Sequence, residues 1–357
     1  MASSSDPLPP TARAQRRKRG RPTIADVARQ AGVSPMTVSR VLNRTAFVSN
    51  EIAERVDAAV QALGYVPNQA ARNLAGGQHC RLALLYSNPS AAYLSEFLMG
   101  CLDAAAAGGA QLVVEKHEHG ETLAGLIERL RAHRIDAVVL PPPLCDEDAL
   151  VKALLASDWP VAQVATGAPE PHCLSVAIAD TLAAEAMTRH VIALGHRTIG
   201  FISGAPNQTV TGQRLAGYHR ALQAAGLPAD PALIAHGDFT YRSGMAAAKQ
   251  LLALSPRPSA ILASNDDMAA GAIAAAHRLG LSVPGDLSVA GYDDTAMATS
   301  IWPELTTIRQ PVAEMARQAV HLLIEATTAR LAGETLVPVH RQLAFELVER
   351  ASVGHCR

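Results

Sequence analysis

The stretch from Thr23 to Asn43, TIADVARQAGVSPMTVSRVLN, admits few folds, because its punctuation divides it into two short helices around a tight turn. Thr23 is placed to cap the first. Asp26 follows three residues later, where exposed N–H groups favour a carboxylate, and Ile24, Val27, Ala28 and Ala31 fall on one face. Gly32 stops that helix. Ser34 restarts the chain as a second N-cap, with Pro35 at the first helical position, where its missing N–H costs nothing. Val38, Val41 and Leu42 take the inner side, which leaves Pro35, Met36, Thr37, Ser39, Arg40 and Asn43 for the outer face and its edges. This is the pattern of a helix-turn-helix, whose second helix enters a DNA major groove by its N-terminal part. The outward residues, with Thr23 and Ser34 at the caps, are therefore candidate DNA contacts. Arg40 is the candidate for direct readout, since its guanidinium fork matches guanine O6 and N7. Paired amphipathic helices around a glycine also occur in domains without a nucleic-acid role.

Charge is divided along the same line. The net charge is −1, but residues 1–80 carry 11 Lys and Arg against 5 Asp and Glu, a balance of +6. Residues 81–357 carry 20 against 27, a balance of −7. One end is suited to phosphates and the other is not. The first 22 residues are expected to be a disordered arm in which Arg16, Arg17, Lys18, Arg19 and Arg21 cluster. Arg19-Gly20-Arg21-Pro22 resembles the core of an AT-hook, although non-specific attraction to phosphate explains the same residues.

Ser49 reads as the cap of a third helix running to about Leu63, with Ile52, Val56, Ala59, Val60 and Leu63 inward and Gly64 as its stop. Beyond it, Pro67 and the pair Gly76 and Gly77 bracket only about eight helix-compatible residues, too few to hold a helix alone in water. The order helix-turn-helix, Leu63-Gly64-Tyr65-Val66-Pro67-Asn68 and a short helix ending Leu74-Ala75-Gly76 resembles the head and hinge of the LacI family of bacterial transcription regulators. The resemblance continues to about residue 350. It implies a homodimer whose paired hinge helices lie in the minor groove at the centre of a pseudo-palindromic, double-stranded operator. Asn68, Ala71 and Leu74 would then be hinge contacts, with Leu74 wedged into a base step. A linker leucine packed on the next domain is the alternative.

From Arg81 onward, short apolar runs alternate with helical ones. LALLY (82–86), QLVVE (111–115), DAVVL (136–140) and VAQVA (161–165) read as buried strands separated by helices near 93–107, 121–132 and 146–156. TIGFIS (198–203), a helix over about 211–225, a strand before Gly237, a helix over 241–253, the strand AILAS, a helix over 266–279 and LSVAGY (287–292) form a second set. Two doubly wound, parallel-sheet subdomains are expected, and open parallel sheets bind ligands at the carboxyl ends of their strands.

Polar groups gather at those ends. Asn265, Asp266 and Asp267 follow AILAS, Asp293 and Asp294 follow LSVAGY, Arg214 starts the helix after TIGFIS, and Asp238 and Phe239 follow the strand at Ile234. Such a set offers acceptors, an arginine donor and an aromatic face to a hydroxyl-rich ligand. GQRLAGY (212–218), ASNDDMAAG (263–271), AGYDDT (290–295) and LTTIRQP (305–311) look like LacI-family segments. By that resemblance Arg214, Asn265 and Asp293 would contact a small-molecule effector, a sugar or sugar derivative with a nucleoside or purine as the alternative, and Phe239 would be a platform for it. Asp266 as a helix cap, Asp294 as a turn residue and Phe239 as core are the structural alternatives. Tyr86, Asn88 and Tyr93, after the first strand, are further candidates.

The expected layout is a basic arm at 1–22, a helix-turn-helix domain at 23–66, a hinge helix and linker at 67–80, a two-lobed effector-binding and dimerisation domain at 81–350 and a tail at 351–357. The fold class is an all-α three-helix head joined to an α/β unit that the resemblance makes periplasmic-binding-protein-like. Five scattered cysteines without a Cys-x-x-Cys pair suggest ordinary thiols in a reducing cytoplasm. No apolar run reaches the length of a membrane span or a signal peptide core. The chain ends ELVERASVGHCR, without the leucine-rich helix that joins some family dimers into tetramers, so a dimer is expected. Neither a Gly-Lys dipeptide nor Gly-x-Ser-x-Gly occurs, and no general base with a partner stands out, so no enzyme and no cofactor are expected. His117, His119, His190 and His196 lack ligand spacing and read as surface or capping residues rather than metal ligands. A sugar-binding receptor without a DNA role would explain residues 81–350 equally well, but not the basic head.

Overall fold

A computed structural model describes residues 22–43, 49–63, 80–117 and 120–356. The chain divides into two compact units, Met1–Gln78 and His79–Arg357.

The first unit holds α1 (Ile24–Ala31), α2 (Pro35–Asn43) and α3 (Asn50–Leu63). Asp26 Oδ2 accepts from both the backbone N–H of Thr23 (3.0 Å) and its hydroxyl (2.7 Å), which closes the start of α1. Those two bonds hold the Asp26 carboxyl below its ordinary range. Gly32 ends the helix at φ 66°, and its N–H returns to the Ala28 carbonyl. Ser34 Oγ accepts from the N–H of Thr37 at 3.0 Å and so caps α2. Val27, Ala28, Ala31, Val38, Val56 and Ala59 make the buried core, with Ile24, Val41, Ile52, Val60 and Leu63 packed around it. The described inward residues read from the sequence are the ones that meet, and the side chain of Leu42 lies outside the described residues.

The second unit consists of two lobes. In the first, a sheet runs in the order β2 (Gln111–Lys116), β1 (Arg81–Tyr86), β3 (Ala137–Leu140), β4 (Val161–Val164), β5 (Leu174–Ile178), β11 (His340–Leu343), parallel throughout. In the second lobe the order is β7 (Ile234–His236), β6 (Ile199–Ser203), β8 (Ala260–Ala263), β9 (Ser288–Asp293), β10 (Thr306–Arg309), β12 (Glu346–Val348). Only β12 runs antiparallel there. Helices α4 (Ala91–Ala107), α5 (Leu123–Ala132) and α6 (Asp148–Ala156) belong to the first lobe. The second has α7 (Asp180–Ala193), α8 (Thr209–Ala224), α9 (Tyr241–Leu252), α10 (Asp266–Arg278) and α11 (Ala296–Ser300).

The chain crosses between lobes three times: from β5 into α7, from β10 into α12 (Val312–Leu331), and from β11 into β12. Helix α12 packs on α4 and on β3, β4 and β5, burying Met315, Ala316, Ala319, Val320 and Leu323. The simple division into an early and a late lobe therefore needs correction, since the last long helix completes the first lobe. Its strands β1, β3, β4 and β5 are mostly apolar and largely buried on both faces, as a sheet covered by helices on both sides demands.

Candidate functional site

On the first unit, Pro35, Met36 and Arg40 are exposed while Val38, on the same helix, is fully buried. An apolar Met36 left 65% exposed marks the outward face of α2 as one that has no cover from its own domain. Ser34 and Thr37 bond to each other through their hydroxyls at 2.8 Å, so their first task is to start the helix. The side chains of Ser39 and Asn43 lie outside the described residues, as do Asn68, Ala71, Leu74 and the basic arm.

In the second unit each sheet reverses its strand order once, between β1 and β3 and between β6 and β8. Crevices open at such switch points. A single cleft is lined from both: Asn88, Ser90 and Tyr93 follow β1, Pro142 follows β3, Gln208, Val210 and Arg214 follow β6, and Asn265 follows β8. Phe239, Asp293 and Gln310 complete it. All four effector residues expected from the sequence, Arg214, Phe239, Asn265 and Asp293, thus line one cavity. Tyr86 does not line it, whereas Asn88 and Tyr93 do.

Arg214 sits in the second turn of α8 rather than at its start, and is 4% exposed. Its Nε donates to Asp180 Oδ1 at 2.7 Å, Nη1 donates to the Ser264 carbonyl, and the guanidinium carbon lies 3.7 Å from the centroid of the Tyr292 ring. The Tyr292 hydroxyl donates to the same Asp180 oxygen at 2.9 Å. Burial works against the charge of Arg214, and Asp180 outweighs it, so the guanidinium stays protonated.

Asp293 is 5% exposed and accepts from Gln310 Nε2 at 2.6 Å. Burial pushes its carboxyl well above the usual range despite the pull of Arg214. Asn265 has two structural duties: its side chain caps α10 by accepting from the N–H of Met268 (2.9 Å), and its Nδ2 donates to the Phe239 carbonyl (3.0 Å). The capping role considered for Asp266 falls to Asn265. Asp266 is buried instead against Thr295 and Thr307, accepting at 2.8 Å and 2.7 Å. Phe239 packs against Gly204, where a Cβ would collide with its ring. Ala165, Phe239 and Asp293 all line the cleft at positive φ (55°, 67° and 113°), a conformation that costs L-residues energy and gathers at ligand sites.

Two buried polar atoms in this cleft have no partner among the described residues, the Tyr93 hydroxyl and Gln310 Oε1. Leaving such atoms dry costs about 1–3 kcal/mol each, so both are suited to an incoming polar ligand. Sequence reading singled out neither Gln310 nor Asp180. The cavity is narrow, with about 30 Å³ left open by its side chains, room for roughly two waters. Its rim is tied across the lobes by Asp146 with Thr209 (2.8 and 2.9 Å), Ser90 with Asp267, and Gln213 with the Gly167 carbonyl (2.9 Å).

Burial pushes the Asp266 carboxyl up to about 7, against the hydrogen bonds from Thr307 and Thr295. A folded-state value above the unfolded one contributes stability at low pH that is lost as pH rises through about 7. Asp266→Asn should remove that loss. Relative to wild type, the variant is expected to gain roughly 2–3 kcal/mol of unfolding free energy between about pH 5 and pH 8, measured by denaturant titration. A difference that does not change with pH counts against a neutral Asp266.

Among the described residues no cluster of His, Cys, Asp or Glu could hold a metal, and no helix is long and apolar enough to cross a membrane. His119 lies outside them. His196 is neither a surface nor a capping residue: it is buried, and bonds Ser259 Oγ and the Gly354 carbonyl at 2.9 Å each.

A helix-turn-helix unit followed by a two-lobed receptor with a polar cleft defines a ligand-responsive DNA-binding regulator. Residues 23–68 match the model for bacterial regulatory proteins of the lacI family, and residues 188–353 match that for a periplasmic binding protein-like domain. The HTH-type transcriptional regulator CelR of Thermobifida fusca is 35% identical over 342 residues, covering 94% of this chain and 99% of the relative. A solved CelR–cellobiose complex superimposes with a TM-score of 0.70 at 33% identity, covering 93% of this chain and 100% of that one. The Lac repressor dimer bound to operator and the anti-inducer ONPF gives 0.71 at 30% identity, covering 94% and 100%. The chain belongs to the LacI family and is a transcription regulator rather than an enzyme.

Proposed function

We propose that this regulator is a cytoplasmic repressor of carbohydrate-use genes, released from or retained on its operator by a sugar bound between the lobes. The observation that carries the reading is the cleft's set of complementary groups. Asp293 and the unpartnered Gln310 Oε1 accept, Arg214 and the Tyr93 hydroxyl donate, and Phe239 offers an apolar face. Vicinal hydroxyls, each both donor and acceptor, satisfy such a set. CelR, a similar protein solved with cellobiose, supports a disaccharide as the first ligand to test.

The open space in the cleft is far too small for a disaccharide, so binding has to part the rim contacts or displace Phe239. That requirement links the ligand to lobe geometry, and differential binding to two lobe arrangements is what allosteric control needs. Asn68, Ala71 and Leu74 would carry the change to DNA through the hinge, while Thr23, Ser34, Pro35, Met36, Thr37, Ser39, Arg40 and Asn43 supply the head's contacts.

The test combines selection of operator sequences from genomic DNA with a thermal-shift screen of mono- and disaccharides, cellobiose first. A pseudo-palindromic site and a sugar that changes its affinity are expected. Binding to no preferred DNA at physiological salt, or a response confined to nucleosides, would overturn the reading.

A further inference from the structure

A second and much roomier cavity, about 320 Å³, lies beside the first and third strand crossings. That is the size of a small-ligand site. Thr166 and Gly167 after β4, Ser175 on β5, Asp180 and Thr181 at the start of α7, Gln213 on α8, and His340 and Arg341 on β11 line it. We propose that this cavity is a second small-molecule site, taking a compact polyol that carries a phosphate or carboxylate, and that it communicates with the cleft through Asp180.

Three observations converge on that chemistry. Arg341 is anchored by a neutral partner, the Gln318 amide oxygen, and His340 by the Ser175 hydroxyl at 2.8 Å, so neither is spent on a carboxylate in those bonds. Helix α7, 14 residues long, begins at the cavity, and its N-cap Ala179 has no side chain able to cap it. Uncapped first-turn N–H groups and the positive end of the helix favour an anion. Asp180, the acidic group nearest that end, is charge-balanced by Arg214, and its two hydrogen bonds both fall on Oδ1. Oδ2 is left as an acceptor for a ligand hydroxyl, and Thr181 adds a hydroxyl to the same wall.

The same carboxylate positions Arg214 in the cleft, so a ligand drawing on Asp180 changes how firmly that guanidinium is held. Gln213 and Gly167 bring both lobes to the cavity wall, and an occupant touches each. The communication rests on the cleft being the effector site. Binding in the second cavity does not.

The experiment is calorimetry on the full-length protein with glucose 6-phosphate, gluconate, glucose and inorganic phosphate. At least one of the two anionic polyols should bind saturably, with glucose and phosphate about tenfold weaker or more, one charged contact being worth about that factor. Arg341→Gln should weaken it about tenfold. Thr181→Glu should do the same while leaving the fold intact, because a carboxylate in the first turn suits the helix. Asp293→Ala should leave this binding unchanged, which separates it from the cleft. No saturable binding of either anionic polyol at millimolar concentration, binding indifferent to both cavity variants, or binding abolished by Asp293→Ala overturns the site. An effector affinity that is the same with the second ligand present overturns the communication.

Discussion

Asp293→Ala is expected to give a protein that still occupies its operator and no longer responds to its sugar. Asp293 contributes the buried acceptor of the cleft, and its removal also strands Gln310 Nε2, which now bonds it at 2.6 Å. Leaving the partner of a buried hydrogen bond unpaired costs about 1–3 kcal/mol, or roughly 5-fold to 150-fold in ligand affinity. Calorimetry with the sugar found by the screen reads the loss directly, and an operator titration shows whether the head is untouched. The backbone at Asp293 stands at φ 113°, so Asp293→Asn, which tolerates positive φ better than alanine, is the companion that separates chemistry from strain. Retention of normal effector affinity in Asp293→Ala would remove the residue from the site.

The second large effect is expected at Arg40. Its side chain is exposed on the helix whose other face is anchored by Val38, so its loss leaves the fold of the head alone. A bidentate arginine–guanine contact is worth about 1–3 kcal/mol of discrimination, and a dimer on a palindrome makes it twice. Arg40→Ala should therefore narrow the preference for operator over scrambled DNA by roughly 30-fold to about 20,000-fold in a gel-shift titration. Arg40→Lys keeps the charge and loses the fork. If Lys restores specificity fully, Arg40 acts as a phosphate contact and not as a reader.

Much of this was legible because the strongest signals are local. Thr23, Asp26, Gly32 and Ser34 cap and stop their helices by bonds to neighbours three or four residues away, and these bonds are present. Buried parallel strands such as Ala137–Leu140 announce themselves as apolar runs. The edge strands β11 and β12 do not: His340–Leu343 and Glu346–Val348 mix exposed polar residues with half-buried apolar ones, Leu343 and Leu347 among them, and present no continuous apolar run. Missing them and α12 hid the return of the chain to the first lobe. The roles of Asp180 and Gln310 were illegible for another reason. What matters about each is a partner 34 or 17 residues away, or an oxygen that lacks one, and no spacing encodes that.

The three passages between the lobes also govern how this receptor can be dissected. Because α12 and β11 belong to the early lobe and come from the far end of the chain, no single cut yields two self-sufficient halves. A fragment stopping after Arg309 strips the first sheet of the helix that shields α4, exposing Phe97, Cys101 and Ala104 to water. Nascent polypeptide leaving the ribosome thus has to wait for nearly its whole length before either half can close, which makes the carboxyl-terminal stretch a folding requirement for a lobe that begins at Arg81.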